Sequence, residues 1–221
     1  MKIFFTLGLL LSLKAFAYQE IAVDWKKMKG RKEVEVYKSE VPGSDIVAFK
    51  GIGKIDAPIR NVVSVIHDVT RLSEWISDFH SSYIVTQLNT FEKIQYLRTK
   101  TPWPLDDREF IYRVTVEVDK KNKSVEVLLE GVDDKSVAAN EGVVRGMLHK
   151  SKYFIKAESE NRTHIEVQIF ADPKGKIPKW VVNLFQSAWP SNTISGIRKL
   201  ATESNYKVHS DVKKYLEKNR M

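Results

Sequence analysis

Residues 177–204 read IPKWVVNLFQSAWPSNTISGIRKLATES, and their periodicity sets the architecture of the whole chain. Apolar side chains recur here every three or four residues, which places them on one face of a helix. These apolar residues are Val181, Leu184, Phe185, Ala188, Ile194, Ile197 and Leu200. Pro190 lacks an amide hydrogen and its ring crowds the preceding turn, so we predict one long helix that is kinked near Trp189.

The long segment before this helix, residues 83–171, alternates between apolar and polar side chains with a period of two. This alternation is typical of strands, and short polar or proline-containing breaks divide the segment into about six of them. The breaks are residues 89–90, 102–107, 120–122, 133–140 and 160–161. Parallel strands need helical crossovers, for which most of these breaks are too short, so the sheet must be largely antiparallel.

The amino-terminal part of the chain predicts a hairpin followed by helices. Two alternating runs, residues 33–38 and 46–55, flank a Pro-Gly-Ser turn at 42–44. Asp56-Ala57-Pro58 starts a helix, a second short helix is predicted at 71–76, and an amphipathic segment at 20–29 is ended by Gly30. The predicted fold class is therefore α+β, with a curved antiparallel sheet wrapped around a long carboxyl-terminal helix. The space beneath that helix makes an internal hydrophobic cavity possible.

Three stretches of the chain carry a resemblance to a known family. They are residues 52–58 (IGKIDAP) running on to Asp68 and Trp75, residues 100–110 (KTPWPLDDREF), and residues 171–183 (ADPKGKIPKWVVN). Together and in this order they resemble the START family of StAR-related lipid transfer domains, with Glu109 standing where the family often has Asp. The resemblance implies the helix-grip fold and a lipid or sterol-like hydrophobic ligand in an internal cavity, without a cofactor. It also implies that the loop at 101–107 lies beside the terminal helix at the cavity mouth.

Arg108 is the candidate for contact with a polar headgroup. In the strand that starts at this residue, Phe110, Tyr112 and the following even positions are apolar, and Arg108 shares their parity. A guanidinium buried in this way must be paired or hydrogen-bonded. Two alternatives stay open: Arg108 orients a ligand headgroup or hydroxyl at the cavity floor, or a carboxylate or strand-end carbonyls hold it simply to fix the loop.

The other candidate site residues form walls, a lid and a gate. The walls, taken from the apolar parity of each strand, are Tyr96, Phe110, Tyr112, Val127, Met147 and Val167. Trp180 and Leu184 are the lid residues on the terminal helix, and Trp103 and Trp189 are the gate residues. All of them are equally consistent with ordinary core or loop packing, and only an unfilled space among them would make them ligand-binding residues.

Local motifs for catalysis or metal binding are absent from the sequence. There is no Cys, the five His residues form no H-x-x-x-H pair, and no G-x-S-x-G, P-loop or G-x-G-x-x-G motif occurs. His67-Asp68 is the pair to inspect, although a polar turn of a surface helix explains it as well. We therefore predict non-enzymatic binding and transfer or sensing of a hydrophobic molecule, without a metal or cofactor. A cyclase- or isomerase-like enzyme with the same cavity, or an interaction module without ligand, are the alternatives.

The first residues predict export. Lys2, the apolar run at 3–13 and Ala15-Phe16-Ala17 form a signal-peptide pattern, which predicts cleavage after residue 17 and a periplasmic or secreted protein. Residues 18–221 then form one START-like domain with a basic helical tail at 205–221. The net charge of +8 is spread along the chain without basic blocks, which disfavours a nucleic-acid partner. It suits a soluble surface or transient contact with a membrane surface, and we expect a monomer.

Overall fold

The computed structural model describes residues 24–31 and 33–221. The predicted signal peptide at 1–17 and the start of the amphipathic segment, residues 20–23, lie outside the described residues. The rest of that segment is a strand, because residues from Lys26 to Arg31 pair antiparallel with the next run, and Met28 lies opposite Val36. Cross-strand pairing therefore replaces the helix-like periodicity that the sequence suggested.

The strands form a large, open antiparallel sheet. They are β1 Lys26–Arg31, β2 Val34–Ser39, β3 Ala48–Ile55, β4 Phe79–Asn89, β5 Glu92–Thr99, β6 Asp107–Asp119, β7 Ser124–Gly131, β8 Val143–Arg145, β9 Met147–Leu148, β10 Ser151–Ser159, β11 Arg162–Ile169 and β12 Ala171–Asp172. The order across the sheet is β1-β2-β3-β11-β10-β7-β6-β5-β4, so β1 and β4 are its edges and it does not close into a barrel. The short β8 lies parallel to the start of β6, and β9 and β12 form a separate ribbon. The prediction of a largely antiparallel sheet is confirmed.

The predicted hairpin and first helix are also present. β2 and β3 pair around a turn in which Gly43 has a φ of 78°, and α1 runs over Ile59–His67 directly after Pro58. The second short helix is a 3-10 helix, Val69–Glu74, which starts two residues earlier than predicted and is capped by the Asp68 carboxylate. The basic tail contains α4, Ser210–Lys218, which buries Val212 and Leu216.

The long carboxyl-terminal helix is divided in two, and the prediction of one continuous kinked helix is corrected here. α2 covers Lys179–Gln186 and α3 covers Trp189–Ala201. Pro190 stands at the start of α3, where its missing amide hydrogen costs nothing. Continuing the helix through this proline would leave a carbonyl one turn earlier without a partner, so the chain breaks just before it.

Two glycines allow α3 to lie close to its neighbours. A Cβ atom on Gly51 of β3 would come within 2.6 Å of the Pro190 Cβ, and one on Gly196 of α3 within 2.5 Å of the Trp75 carbonyl oxygen. The same helix buries Ile194 and Ile197 completely against the sheet. α3 is therefore clamped onto β3, and α2 packs at the start of the same strand, where Val182 clusters with Ile46 and Ala48.

This arrangement is the helix-grip α+β fold that the resemblance implied. A single large sheet curves around the carboxyl-terminal helices, and α1 and α4 close the end of the sheet opposite α2 with a core that includes Val62, Val65 and Leu216. Within the described part of the chain, no helix is long and apolar enough to span a membrane.

Candidate ligand cavity

The sheet face beneath α2 and α3 borders a cavity of about 400 Å³. Its strand residues are alternate residues along each strand, as expected for side chains that share one face of a sheet. They are Gln95, Leu97, Thr99, Arg108, Phe110, Tyr112, Val114, Val127, Leu129, Ser151, Tyr153 and Ile169. Most of these side chains are apolar or aromatic, so the walls suit a hydrophobic guest.

Helices and one loop cover the cavity. Trp75 and Ile76 follow the 3-10 helix, and α2 contributes Val181, Val182 and Gln186. The loop at 100–106 contributes Lys100, Thr101, Pro102 and Leu105. This loop and α2 therefore both border the cavity, as the resemblance implied for the loop.

Five of the residues predicted for the site lie in the cavity lining. They are Arg108, Phe110, Tyr112, Val127 and Trp189. The first four share the inward face of β6 and β7, which the alternation along β6 predicts. Trp189 begins α3 and is half-buried, so it lies where the two covering helices meet.

Tyr96 lies on the opposite face of the sheet, and its prediction as an interior wall residue is corrected. The cavity-facing residues of β5 are its neighbours Gln95 and Leu97. The Tyr96 hydroxyl donates a 2.9 Å hydrogen bond to the Glu109 carboxylate, and its ring stacks on Tyr83 at 4.6 Å between centroids. The outer face is also covered here, so an apolar side chain can point away from the cavity and still be buried.

Glu109 is the centre of that covered outer face. Its carboxylate is fully buried and accepts hydrogen bonds from Arg145 Nη2 at 2.7 Å and from Asn140 Nδ2 at 2.6 Å. Burial by itself would raise the pKa of Glu109, but the hydrogen bonds from Asn140, Arg145 and Tyr96 outweigh it and lower the pKa. These bonds hold the segment around 137–145 against the back of β6.

Val167 and Met147 also lie outside the cavity lining. Val167 is fully buried, but its partner across the strands is Gly51, so it packs in the core under α3. Met147 is 37% exposed on the short β9, while its neighbour Leu148 reaches the cavity. Both residues were predicted to form the cavity wall. Instead, α3 covers Val167, and Met147 lies on the β9–β12 ribbon with its side chain partly exposed.

The two exposed tryptophans flank the cavity without lining it. Trp103 is 93% exposed at the tip of the 100–106 loop, and Trp180 is 70% exposed in the first turn of α2. Both residues belong to segments that border the cavity. The side chain of Leu184, the other predicted lid residue, lies outside the described part of the structure.

Arg108 is buried at the start of β6, with 5% of its surface exposed. Its guanidinium donates hydrogen bonds to the backbone carbonyls of Asp106, Pro173 and Lys174. Burial lowers the pKa of Arg108, yet the guanidinium stays charged. The carbonyls join the 100–106 loop to the segment before α2, so Arg108 is in a position to fix the mouth and also to face a ligand.

Two tyrosines and a glutamine are among the polar groups of the inner wall. Tyr112 is hydrogen-bonded to Gln95, and the Tyr153 ring packs edge-on against Trp75 at 6.5 Å between centroids. Burial raises the pKa of both tyrosines, so they are protonated at neutral pH. Neither Gln95 nor Tyr153 was predicted from the sequence as a site residue. Pairing β5 with β6 would have indicated Gln95, since it lies opposite Tyr112.

The pair His67-Asp68 lies away from this cavity. His67 ends α1 and borders a separate void of about 10 Å³ together with Phe91 and Lys93. The Asp68 carboxylate accepts a 2.9 Å hydrogen bond from the Thr70 amide and so caps the 3-10 helix. Neither residue contributes to the lining of the large cavity.

Comparisons with known proteins agree with this architecture. The family model for the START domain matches residues 14–203. An uncharacterized protein of Pseudomonas aeruginosa is 26% identical over 181 residues, which cover 82% of this chain and 88% of that protein. The phosphatidylcholine transfer protein of Bos taurus is 22% identical over 162 residues, which cover 72% of this chain and 75% of that protein.

Solved structures show the same fold. A STAR-related lipid transfer protein fragment from Xanthomonas axonopodis superposes with a TM-score of 0.71 at 25% identity, covering 81% of this chain and 99% of that one. Human STARD10 superposes with a TM-score of 0.74 at 19% identity, covering 91% of this chain and 78% of that one. Since the family model spans residues 14–203, most of the chain, this protein belongs to the START domain family.

Proposed function

We propose that this protein binds a lipid or another hydrophobic small molecule in the cavity beneath α2 and α3, and transfers or presents it without chemical change. The observation that carries the proposal is the volume of about 400 Å³ with mainly apolar walls. Burying apolar ligand surface contributes roughly 25 cal/mol per Å², so such walls supply affinity without any covalent step. Membership of the START family and the similarity to a phosphatidylcholine transfer protein support a lipid as the ligand class.

The alternatives from the sequence analysis fit the cavity less well. A ligand-free interaction module predicts a filled interior, which the cavity volume disfavours. An isomerase- or cyclase-like enzyme needs an acid and a base that converge on the substrate. Within the described lining, the buried titratable groups are Arg108, Tyr112 and Tyr153, which are all protonated at neutral pH, and the carboxylate of the lining, Asp78, is exposed.

A gate formed by the 100–106 loop and α2 would let the ligand in and out. Both segments border the cavity, and each carries a tryptophan, Trp103 or Trp180, that is exposed to solvent. Amphipathic rings of this kind favour the boundary between water and lipid. We propose that the gate opens while these two rings contact a membrane surface. Trp189, which lies where α2 and α3 meet, is the proposed inner part of the gate.

Mass spectrometry of the purified protein tests the ligand directly. The protein is kept native, its mass is compared with that of the bare chain, and the bound material is extracted and identified. We expect added mass that corresponds to one lipid or lipid-like molecule per chain. A protein that carries nothing, and that takes up no lipid from vesicles, would contradict the proposal.

A blocking substitution tests the location of the ligand. Leu97 lines the cavity on β5, so Leu97→Trp should fill part of the space and reduce lipid transfer between vesicles to near background. Leu88→Trp is the matched control, because Leu88 is 46% exposed on β4 and outside the lining. Equal transfer by the two variants, both folded by circular dichroism, would place the ligand elsewhere.

Export remains a proposal that rests on the residues before the described structure. We propose that residues 1–17 direct export and are removed, as their pattern predicts. Amino-terminal sequencing of protein recovered from the cell envelope and from the medium would show whether the mature chain starts at Tyr18.

A further inference from the structure

Arg108 places a buried positive charge in the lining of the cavity. It is 5% exposed, whereas Lys100, the other cation of the lining within the described residues, is exposed to solvent. A buried cation is costly unless an anion or several good hydrogen bonds compensate it. The partners of Arg108 therefore decide whether its charge is already satisfied.

Two acidic neighbours of Arg108, Asp107 and Glu109, are engaged with other arginines, whereas Asp106 is exposed to solvent. Because side chains alternate along a strand, Asp107 and Glu109 point away from the cavity face. Asp107 pairs with Arg98 at 2.7 Å between the carboxylate oxygen and Nη2, and Glu109 pairs with Arg145 at 2.7 Å. Among the described residues, no carboxylate forms an ion pair with Arg108.

The backbone carbonyls around Arg108 compensate its charge only in part. Its bonds to the Pro173 and Lys174 carbonyls are long, at 3.4 and 3.5 Å, compared with roughly 2.7–3.2 Å for an ordinary bond. The third bond is to the Asp106 carbonyl. A guanidinium has five N–H donors in a planar fork that matches a carboxylate or phosphate. Donor capacity and net charge therefore remain for an anion.

We propose that the ligand is an amphiphile with an anionic headgroup, a carboxylate or a phosphate, and that Arg108 binds this headgroup. The inference rests on the proposed function, since it names the class of molecule that the cavity takes. The volume of about 400 Å³ lies in the lower part of the range of roughly 300–1,000 Å³ for ligand pockets, which favours a lipid with one acyl chain. The apolar walls hold the chain, and the headgroup lies at the start of β6.

A matched ligand series tests the headgroup in the unaltered protein. Delipidated protein is loaded with Nile red, a neutral probe, and palmitate, hexadecyl phosphate and hexadecanol displace it in competition. We expect the two anionic lipids to bind roughly ten- to a hundredfold more tightly than the alcohol. Acetate and inorganic phosphate, which lack a chain, should not displace the probe at millimolar concentration. Equal affinity for palmitate and hexadecanol would overturn the headgroup assignment and leave the lipid-binding proposal intact.

Substitution of Arg108 tests the residue. Arg108→Gln should abolish the preference for palmitate over hexadecanol and change the affinity for hexadecanol by no more than about twofold. Arg108→Lys keeps the charge without the planar fork, so it should keep part of the preference. Arg113→Gln is the matched control, because Arg113 is an exposed arginine on the same strand as Arg108 and lies outside the cavity lining, so this variant should leave the preference unchanged.

Two results with the variants would overturn the inference. One is an Arg108→Gln protein that keeps the full preference for anions. The other is a folded Arg108→Gln protein that loses palmitate and hexadecanol equally, which would make Arg108 a clamp of the mouth through its carbonyl contacts. Should neither lipid displace the probe from unaltered protein, the proposed function fails and the inference fails with it.

Discussion

At the scale of single residues, the alternation along β5 and β6 decides what each side chain does. Gln95, Leu97 and Arg108 face the cavity, whereas Tyr96 and Glu109 face the opposite side. Both faces of the sheet are buried here, so hydrophobicity does not distinguish the inner face from the outer one. Cross-strand partners do distinguish them, because Leu97 lies opposite Phe110 and Tyr96 lies opposite Ile111.

The buried ion pair between Glu109 and Arg145 should contribute to stability. Arg145→Met would leave the Glu109 carboxylate buried without its cation, and we expect a loss of about 2–3 kcal/mol in the free energy of unfolding. This expected loss is at the low end of the range for breaking a buried ion pair, because the Arg145 side chain is 28% exposed. Urea unfolding of the variant and of the unaltered protein measures this loss of stability. Arg113→Met is the control, since Arg113 lies on the strand of Glu109 and its pair with Glu92 is more exposed, so the loss should be less than about 1 kcal/mol.

His67 should make the protein less stable in acid. Burial, followed by the nearby charges of Lys93 and His209, lowers the pKa of His67 to about 4, from about 6.5 for a free imidazole. Between these two values the unfolded chain binds a proton that the folded chain does not, so the free energy of unfolding falls as the pH drops from 6.5 to 4. The loss from this group is about 3 kcal/mol at most.

The measurement is urea unfolding at pH 7 and pH 4.5 for the unaltered protein and for His67→Phe. The variant cannot take up this proton, so its stability should change less between the two pH values. His80→Phe, at an exposed position, should behave like the unaltered protein. An identical pH dependence in His67→Phe and the unaltered protein would contradict the assignment.

At the scale of elements, proline and pairing account for the two differences from the predicted arrangement. Pro190 ends one helix and starts the next, so α2 can be oriented independently of α3. α3 is held to the sheet by the close approaches at Gly51 and Gly196. α2 has no such glycine contact among the described residues, and is held by hydrogen bonds from the Val47 amide to Asn183 and from Gln186 to the Ala171 carbonyl. We propose α2 as the covering element that moves.

A disulfide between the 100–106 loop and α2 should stop ligand exchange. The chain contains no cysteine, so one engineered pair with Cβ atoms about 3.8 Å apart would form without competition. If the gate opens between these two segments, the oxidised protein should neither take up lipid nor release it in a vesicle transfer assay. Reduction of the disulfide should restore exchange. Transfer at the full rate by the oxidised protein would show that the ligand uses another route.

At the scale of the whole molecule, the two exposed tryptophans beside the cavity, Trp103 and Trp180, form the face that we propose contacts a membrane. Trp103→Ser combined with Trp180→Ser should weaken co-sedimentation with lipid vesicles by tenfold or more, since each ring buries enough apolar surface for roughly 1.4 kcal/mol. The affinity for a ligand already in solution should stay the same. Leu88→Ser is the control, since Leu88 is an exposed apolar residue outside the cavity lining. Undiminished vesicle binding by the double variant would contradict this orientation.

Most of the elements and their order could be predicted from the sequence, with β1 and the division between α2 and α3 as the exceptions. The alternation at 83–171, the helical spacing at 177–204 and the turn at 42–44 depend on neighbours along the chain, and the structure confirms the strands, the hairpin and the covering helices. For the same reason the inward positions on β6, namely Arg108, Phe110 and Tyr112, were correctly identified. Side-chain parity on one strand is a local property that a sequence displays directly.

The tertiary structure decided which residues line the cavity. Val167 is core because α3 covers it, and Tyr96 is outside because Glu109 and Asn140 cover the back of the sheet. Gln95 and Tyr153 are inside because their side of the sheet borders the cavity. Each outcome depends on which distant segment lies against a given strand face. A cavity is the space that such segments fail to fill, so its boundaries arise from contacts between residues that are far apart in the chain.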